Sequence, residues 1–321
     1  MSTLIDRHSN GVFIITATPF TDDGELDLAS TERMVDFYIE CGVSGMTILG
    51  IMGEAPKLDQ SEAIRFAECV LKRVNGRIPV IVGVSAAGIN NLATLAKTTM
   101  QAGAAGVMVS PIPGLNTEAR LHNYFVEVCA ALGPDIPVCY QDFPQASGVH
   151  ISVESILRLT TELPQLVMLK HEDWPGLTKL SRVRAESNTG EVPRISILTG
   201  NGAIFLPQEM QRGADGAMTG FAYPEMLVEV VAMHRAGEID RAEDLFNAYL
   251  PLVRYELQPG IGLAIRKETL RRRGVIGSAK VRAPGPSLTA TDLAELTRLI
   301  DRQQQALGEK QFPVTHMQES R

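Results

Sequence analysis

Apolar positions along the chain fall into two alternating rhythms. Short, near-continuous runs rich in Val and Ile recur roughly every 30 residues, at 12–20, 46–50, 79–85, 106–111, 136–143, 166–172, 194–200 and 215–221. Between them apolar side chains return at helical spacing, as at Leu28, Met34, Val35, Tyr38 and Ile39, or Ile64, Phe66, Ala67, Val70 and Leu71. Gly42, Gly76, Gly103, Gly133 and Gly213 stand where helix C-caps fall, and Pro79 and Pro137 stand at strand entries. Strands without polar alternation are buried on both faces, as parallel strands between helices are. Eight such units predict an α/β fold, a closed (β/α)8 TIM barrel over residues 1–236. A dinucleotide-binding open sheet would carry GxGxxG after its first strand, whereas this one ends Thr18-Pro19-Phe20. Helical segments near 239–255, 260–273 and 289–307 predict a C-terminal helical extension over 237–307. The polar, aperiodic residues 308–321 read as a disordered tail.

Composition narrows the function classes. Hydrophobic residues at 45% and charged residues at 21% are those of a globular protein with a sizeable core. Thirty Lys and Arg against 37 Asp and Glu leave a formal charge of −7, which argues against a nucleic-acid-binding surface. The one dense basic run, Arg271-Arg272-Arg273, reads as the solvated last turn of a helix. Cys41, Cys69, Cys129 and Cys139 stand singly, without CxxC spacing, so neither a zinc site nor a disulfide framework is expected and a cytoplasmic location is. No apolar run reaches the length of a membrane span, and no motif calls for a cofactor.

In a β/α barrel the chemistry lies at the C-terminal ends of the strands. Here those ends are polar: Thr18, Gly50 with Gly53 and Glu54, Ser85, Ser110, Tyr140 with Asp142, Lys170 with Glu172, Thr199 with Asn201, and Thr219. Lys170 terminates the run Leu166-Val167-Met168-Leu169. An amine there is either ion-paired, with Glu172 or Asp173, or desolvated, which disfavours its charged form and readies it to attack a carbonyl. Tyr140 closes the neighbouring strand and is expected to reach Lys170 as a proton shuttle; a tyrosine that merely fills the barrel is the other reading. Period-two alternation puts Tyr140 and Asp142 on one face of their strand and Lys170 and Glu172 on one face of theirs, so both carboxylates are expected in the same pocket and Asp142 or Glu172 is a candidate second acid or base. The glycines of Gly50-Ile51-Met52-Gly53 let backbone N–H groups approach a substrate carboxylate. Thr199 and Met218 complete the expected substrate-binding set. A metal site on His171, Glu172 and Asp173 would require consecutive residues, which alternate faces, to converge, and no metal is expected.

Four features in this order, Thr18-Pro19-Phe20, GxxGE at 50–54, Tyr140 and Lys170, together with Gly213-Ala214-Asp215-Gly216, resemble the dihydrodipicolinate synthase/N-acetylneuraminate lyase family of class I Schiff-base lyases. The resemblance implies a lysine that forms a Schiff base with a small 2-oxo acid, a tyrosine that moves protons, and usually a homotetramer. It also exposes departures. The synthase branch has two threonines where this chain has Ile51 and Met52, aromatic residues where Pro111 is followed by Ile112 and Pro113, and an arginine that is missing from 141–150. Residues 250–276, with Gln141-Asp142 and Lys170-His171-Glu172, are more similar to the branch that dehydrates or cleaves 2-keto-3-deoxy sugar acids. The expectation is therefore a carbon–oxygen or carbon–carbon lyase; a synthase-like pyruvate condensation and a non-catalytic 2-oxo acid sensor are the alternatives.

Overall fold

The computed structural model describes residues 3–309, and the expected tail beyond Glu309 lies outside the described residues. Eight parallel strands close into a barrel in chain order: β1 Gly11–Ile15, β2 Gly45–Ile48, β3 Val80–Gly83, β4 Gly106–Val109, β5 Val138–Asp142, β6 Leu166–His171, β7 Ser196–Thr199 and β8 Gly216–Ala217. The helices are α1 Leu28–Glu40, α2 Gln60–Val74, α3 Ile89–Gln101, α4 Glu118–Leu132, the short α5 Pro144–Ser147, α6 Val153–Glu162, α7 Leu177–Ser187, α8 Leu206–Gln211 and α9 Pro224–Arg235. Three more follow: α10 Ile239–Glu256, α11 Gly262–Arg272 and α12 Ala290–Glu309. The barrel with a helical C-terminal addition is the fold that the apolar rhythm predicts. The five helix-ending glycines all take positive φ, the conformation in which a C-cap closes the last turn. The final run shrinks to two strand residues, although its backbone continues to bond its neighbours through Met218 N–H to Thr199 O (2.8 Å) and Ile15 N–H to Thr219 O (2.9 Å).

Strand alternation splits the core into two layers. Phe13, Ile15, Ile81, Met108, Cys139, Met168, Leu198 and Met218 fill the barrel interior, with Ile5 entering from the N-terminal segment. Val12, Ile14, Val138, Tyr140, Leu169 and Ile197 face outward and pack under the helices. Ring closure depends on glycine where β1 meets β8. Gly11 and Gly216 are in register, and a Cβ on Gly216 would lie 1.9 Å from the Gly11 carbonyl oxygen, so only a bare backbone brings the two strands together.

Buried charge ties the C-terminal helices to the barrel mouth. Lys267 of α11 is wholly buried and pairs with Glu54 in the loop after β2 while donating to Lys280 O at 2.7 Å. Glu54 also accepts from Lys57 Nζ and from the Arg282 N–H, each at 2.9 Å. Burial lowers the Lys267 pKa and the Glu54 carboxylate opposes that shift. The basic run is only partly solvated: Arg271 and Arg272 bond Glu268, but Arg273 is tied to Glu225 at 2.6 Å and lies over the Tyr223 and Phe37 rings. It serves as an anchor of α11 on the barrel.

Two stability predictions follow from these buried charges. Lys267→Met leaves Glu54 buried with two of its three partners, its wholly buried counter-charge gone, and lowers unfolding free energy by about 3 kcal/mol in urea titrations, whereas the partly exposed Lys57→Met costs under about 1 kcal/mol. Glu209 on α8 has its pKa raised from 4.5 to about 7, by burial against a weaker opposing bond from Thr199. The folded state therefore holds a proton that the unfolded chain has released. Its stabilisation is complete below pH 4.5 and disappears as pH rises through about 7. Glu209→Gln is expected to melt higher than the parent above pH 7, the gap closing toward pH 4.5.

Candidate active site

The barrel mouth opens into a cavity of about 570 Å³, walled by Ile15, by Ile51 and Met52 after β2, by Gln141 on β5, and by Lys170 and Glu172 on and just after β6. Asn201, Thr219 and Gly220 close the far side, and Glu256 of α10 with Arg266 of α11 complete it. Lys170 Nζ lies 2.9 Å from Glu172 Oε2, and Gln141 Nε2 donates to the same oxygen at 2.7 Å. The Asn201 N–H reaches Glu172 Oε1 at 3.4 Å, and Asn201 Nδ2 holds the Glu172 carbonyl at 3.0 Å. A Cβ on Gly200 would fall 2.3–2.5 Å from the Glu172 side chain, so the glycine supplies the room this carboxylate occupies. The result is an amine, a carboxylate and a carboxamide in contact within one buried pocket. Such a group can attack a carbonyl and move a proton beside the bond formed.

Tyr140 is not part of this array. β5 and β6 pair Gln141 with Lys170 and Tyr140 with Leu169, after an irregularity between Val138 and Cys139. Residues in register on parallel strands share a face, so Gln141 points inward with Lys170 and Tyr140 points outward with Leu169. The Tyr140 ring packs on Phe125 of α4 at a centroid distance of 4.8 Å, and its hydroxyl has no hydrogen-bond partner. Burial, reinforced by Asp142, raises its pKa well above the usual phenol value. The expected shuttle therefore lies on the wrong side of the sheet, and Gln141 stands where it was expected.

The same parity corrects other expectations. Asp142 faces outward, 2.7 Å from Lys179 Nζ and 3.6 Å from His171 Nδ1. Thr199 pairs with His171 and bonds Gly216 O at 3.3 Å, so it too faces the helices. Met218 belongs to the packed interior and does not line the cavity. His171, Glu172 and Asp173 do not converge: His171 Nε2 meets Gly176 O at 3.0 Å, Asp173 pairs with Lys179 at 3.0 Å, and only Glu172 enters the cavity. Of the expected set, Lys170, Glu172, Ile51 and Met52 are brought together. Gly50 lines an adjoining cavity of about 580 Å³ that shares Ile51 and Gln141, and the Gly53 carbonyl accepts the Thr18 hydroxyl at 2.5 Å.

Two backbone features sharpen the loop after β2. Leu49 and Glu54 bracket it with positive φ of 54° and 55°, a conformation that non-glycine residues adopt at some cost. Among the described residues the N–H groups of Ile51, Met52 and Gly53 make no hydrogen bond. They are available to an anion. Gln141, Glu256 and Arg266 were not foreseen as site residues. Gln141 and the stretch around Glu256 entered only through the family resemblance; for Arg266 the sequence also holds a local signal, because Arg266-Lys267-Glu268 interrupts the apolar positions between Ile265 and Leu270 of a largely buried helix.

Comparison with known proteins shows the family and the fold. The model of the dihydrodipicolinate synthetase family matches residues 8–303. An L-2-keto-3-deoxyarabonate dehydratase of Azospirillum brasilense is 33% identical over 305 residues, covering 92% of this chain and 94% of that protein. A 4-hydroxy-tetrahydrodipicolinate synthase of Thiobacillus denitrificans is 29% identical over 76% of this chain and 80% of its own length. A crystal structure of dihydrodipicolinate synthase from Rhodopseudomonas palustris superposes with a TM-score of 0.92 at 46% identity, covering 94% of this chain and 100% of that one. Among the described residues no helix is long and apolar enough to cross a membrane. The chain belongs to the dihydrodipicolinate synthetase family and is an enzyme of the class I Schiff-base lyase type.

Proposed function

We propose that this enzyme dehydrates a 2-keto-3-deoxy sugar acid, with Lys170 as the Schiff-base residue and Glu172 as the acid–base group. The observation that carries the reading is the 2.9 Å contact between Lys170 Nζ and Glu172 Oε2 inside the cavity, with Tyr140 turned away from it. The likeness to the Azospirillum brasilense dehydratase supports the choice of substrate class.

The chemistry follows from the positions. Glu172 takes a proton from the Lys170 ammonium paired with it, the freed amine attacks C2 of the 2-oxo acid, and Glu172 returns that proton to the carbinolamine hydroxyl, which leaves as water to give an iminium. This cation makes the C3 protons acidic. Glu172, already beside the nitrogen, takes one of them, and the bonding pair moves to form the enamine. The enamine then expels the C4 hydroxyl, which leaves as water with the proton that Glu172 returns. Hydrolysis of the conjugated imine releases product and restores the amine. Gln141 and Asn201 hold the Glu172 carboxylate in place throughout. The reading includes a homotetramer in the cytoplasm, supported by the family resemblance and the four free cysteines. Nothing in the site favours the sensor or the condensation reading over this one.

Borohydride reduction in the presence of pyruvate is expected to fix a covalent adduct on the peptide containing Lys170. Mass spectrometry that finds no adduct with pyruvate or any longer 2-oxo acid would overturn the assignment. Lys170→Ala should lose both adduct and turnover. Glu172→Gln should still label with pyruvate while kcat falls by roughly 10²- to 10⁴-fold, the scale of a lost acid–base group. Tyr140→Phe separates this reading from a tyrosine shuttle: it should leave kcat unchanged and stability equal or higher, because the hydroxyl it removes is buried and unpartnered.

A further inference from the structure

The cations lining the cavity are not equally occupied. Lys170 is paired with Glu172, and Lys57 is shared between Glu54 and the Arg282 carbonyl. Arg266 is different. Its Nε donates to Glu256 Oε2 at 2.8 Å, while its Nη1 lies against the sulfur of Met52. A thioether is a weak acceptor. Among the described residues Nη2 makes no hydrogen bond, so this buried guanidinium, which lines the cavity, has an oxygen partner at Nε alone. Two N–H donors in a plane match the two oxygens of a carboxylate.

The location supports the same ligand. Met52 belongs to the loop whose unbonded N–H groups at Ile51, Met52 and Gly53 form an anion-receptive backbone, so Arg266 and that backbone lie at one end of the cavity. Gly220, after β8, makes the approach possible: a Cβ there would fall 2.9 Å from Arg266 Nη1 and 2.6 Å from the Met52 sulfur. Ile51 and Met52 offer no hydroxyl donors to a substrate anion. A buried carboxylate left without donors or counter-charge would be strongly disfavoured.

We infer that Arg266, brought in by α11 and oriented by Glu256, receives the C1 carboxylate of the 2-oxo acid together with the backbone N–H groups of residues 51–53. Met52 withdraws its sulfur when the anion enters. The assignment rests on the Schiff-base reading for the identity of the substrate, and it makes the C-terminal helices part of the binding site. Glu256 tunes the interaction: its negative charge holds the guanidinium in place and partly neutralises it, so the site binds one carboxylate without trapping it.

Pyruvate and pyruvamide, alike in shape and different in charge, test this. In the parent enzyme, half-maximal borohydride labelling of Lys170 should need far less pyruvate than pyruvamide. In Arg266→Gln the pyruvate requirement should rise by roughly tenfold to a hundredfold, the scale of a lost charge-assisted hydrogen bond, with pyruvamide unchanged. Arg266→Lys should fall between the two. Glu256→Gln should shift pyruvate the opposite way, toward tighter binding, a result that a folding defect does not produce. Persistence of the pyruvate preference in Arg266→Gln would overturn the inference. So would a loss confined to longer sugar acids, or an equal weakening of both ligands in both variants. Calorimetric binding of the same two ligands to Lys170→Ala reads the preference without the imine, so a failure of the Schiff base and a failure of Arg266 give different results.

Discussion

The two-residue period of a β-strand, imposed on eight strands that close on themselves, governs everything at the mouth of this barrel. Each residue of a strand faces either the interior or the helices, and the register between neighbours makes that choice collective. Because Gln141 is in register with Lys170, the two share the cavity; because Tyr140 is in register with Leu169, it does not. A shift of one residue would exchange the two sets entirely. The meeting of Lys170, Glu172 and Gln141 is therefore a consequence of strand pairing as much as of residue type.

The outward face carries its own polar group. Behind the strand ends, on the face away from the pocket that holds Lys170 and Glu172, the buried Asp142 is ion-paired with Lys179, which also pairs with the half-buried Asp173, and His171 lies beside Asp142. A buried carboxylate such as Asp142 persists only when paired, and pairing it with Lys179 of α7 ties down the ends of β5 and β6, the strands that carry Gln141 and Lys170. Rigidity at the rim is thus supplied from outside the barrel, while chemistry is presented inside it.

A second level of organisation comes from the chain after the barrel. Glu54, in the loop after β2, is gripped by Lys57, Lys267 and the Arg282 backbone, and the same α11 that contributes Lys267 contributes Arg266 to the cavity. One helix therefore holds the loop after β2 through Lys267 and lines the cavity with Arg266. This division suits a loop that holds residues in positive φ at both of its ends and leaves the N–H groups of residues 51–53 unbonded.

What the amino-acid sequence determined is the alternation of eight apolar strands with amphipathic helices, the glycines that stop those helices, and a lysine at the end of an apolar run. Each of these is written in local periodicity and residue chemistry, so each is legible in a window of a few residues. Glu172 followed from the same rule, since it lies two residues beyond Lys170 on the same strand face. Met218 does face inward but belongs to the packed interior and not to the cavity wall. Tyr140, Asp142 and Thr199 were misplaced because alternation reveals which residues share a face and not which face is inside. That sign is set by register with a neighbouring strand and by closure of the whole ring. Arg266 and Glu256 reach the cavity only because α10 and α11 fold back over the mouth, and long-range packing of that kind leaves no local trace beyond charged residues at positions a buried helix would otherwise fill with carbon. Tertiary structure alone decided which side chains meet the lysine.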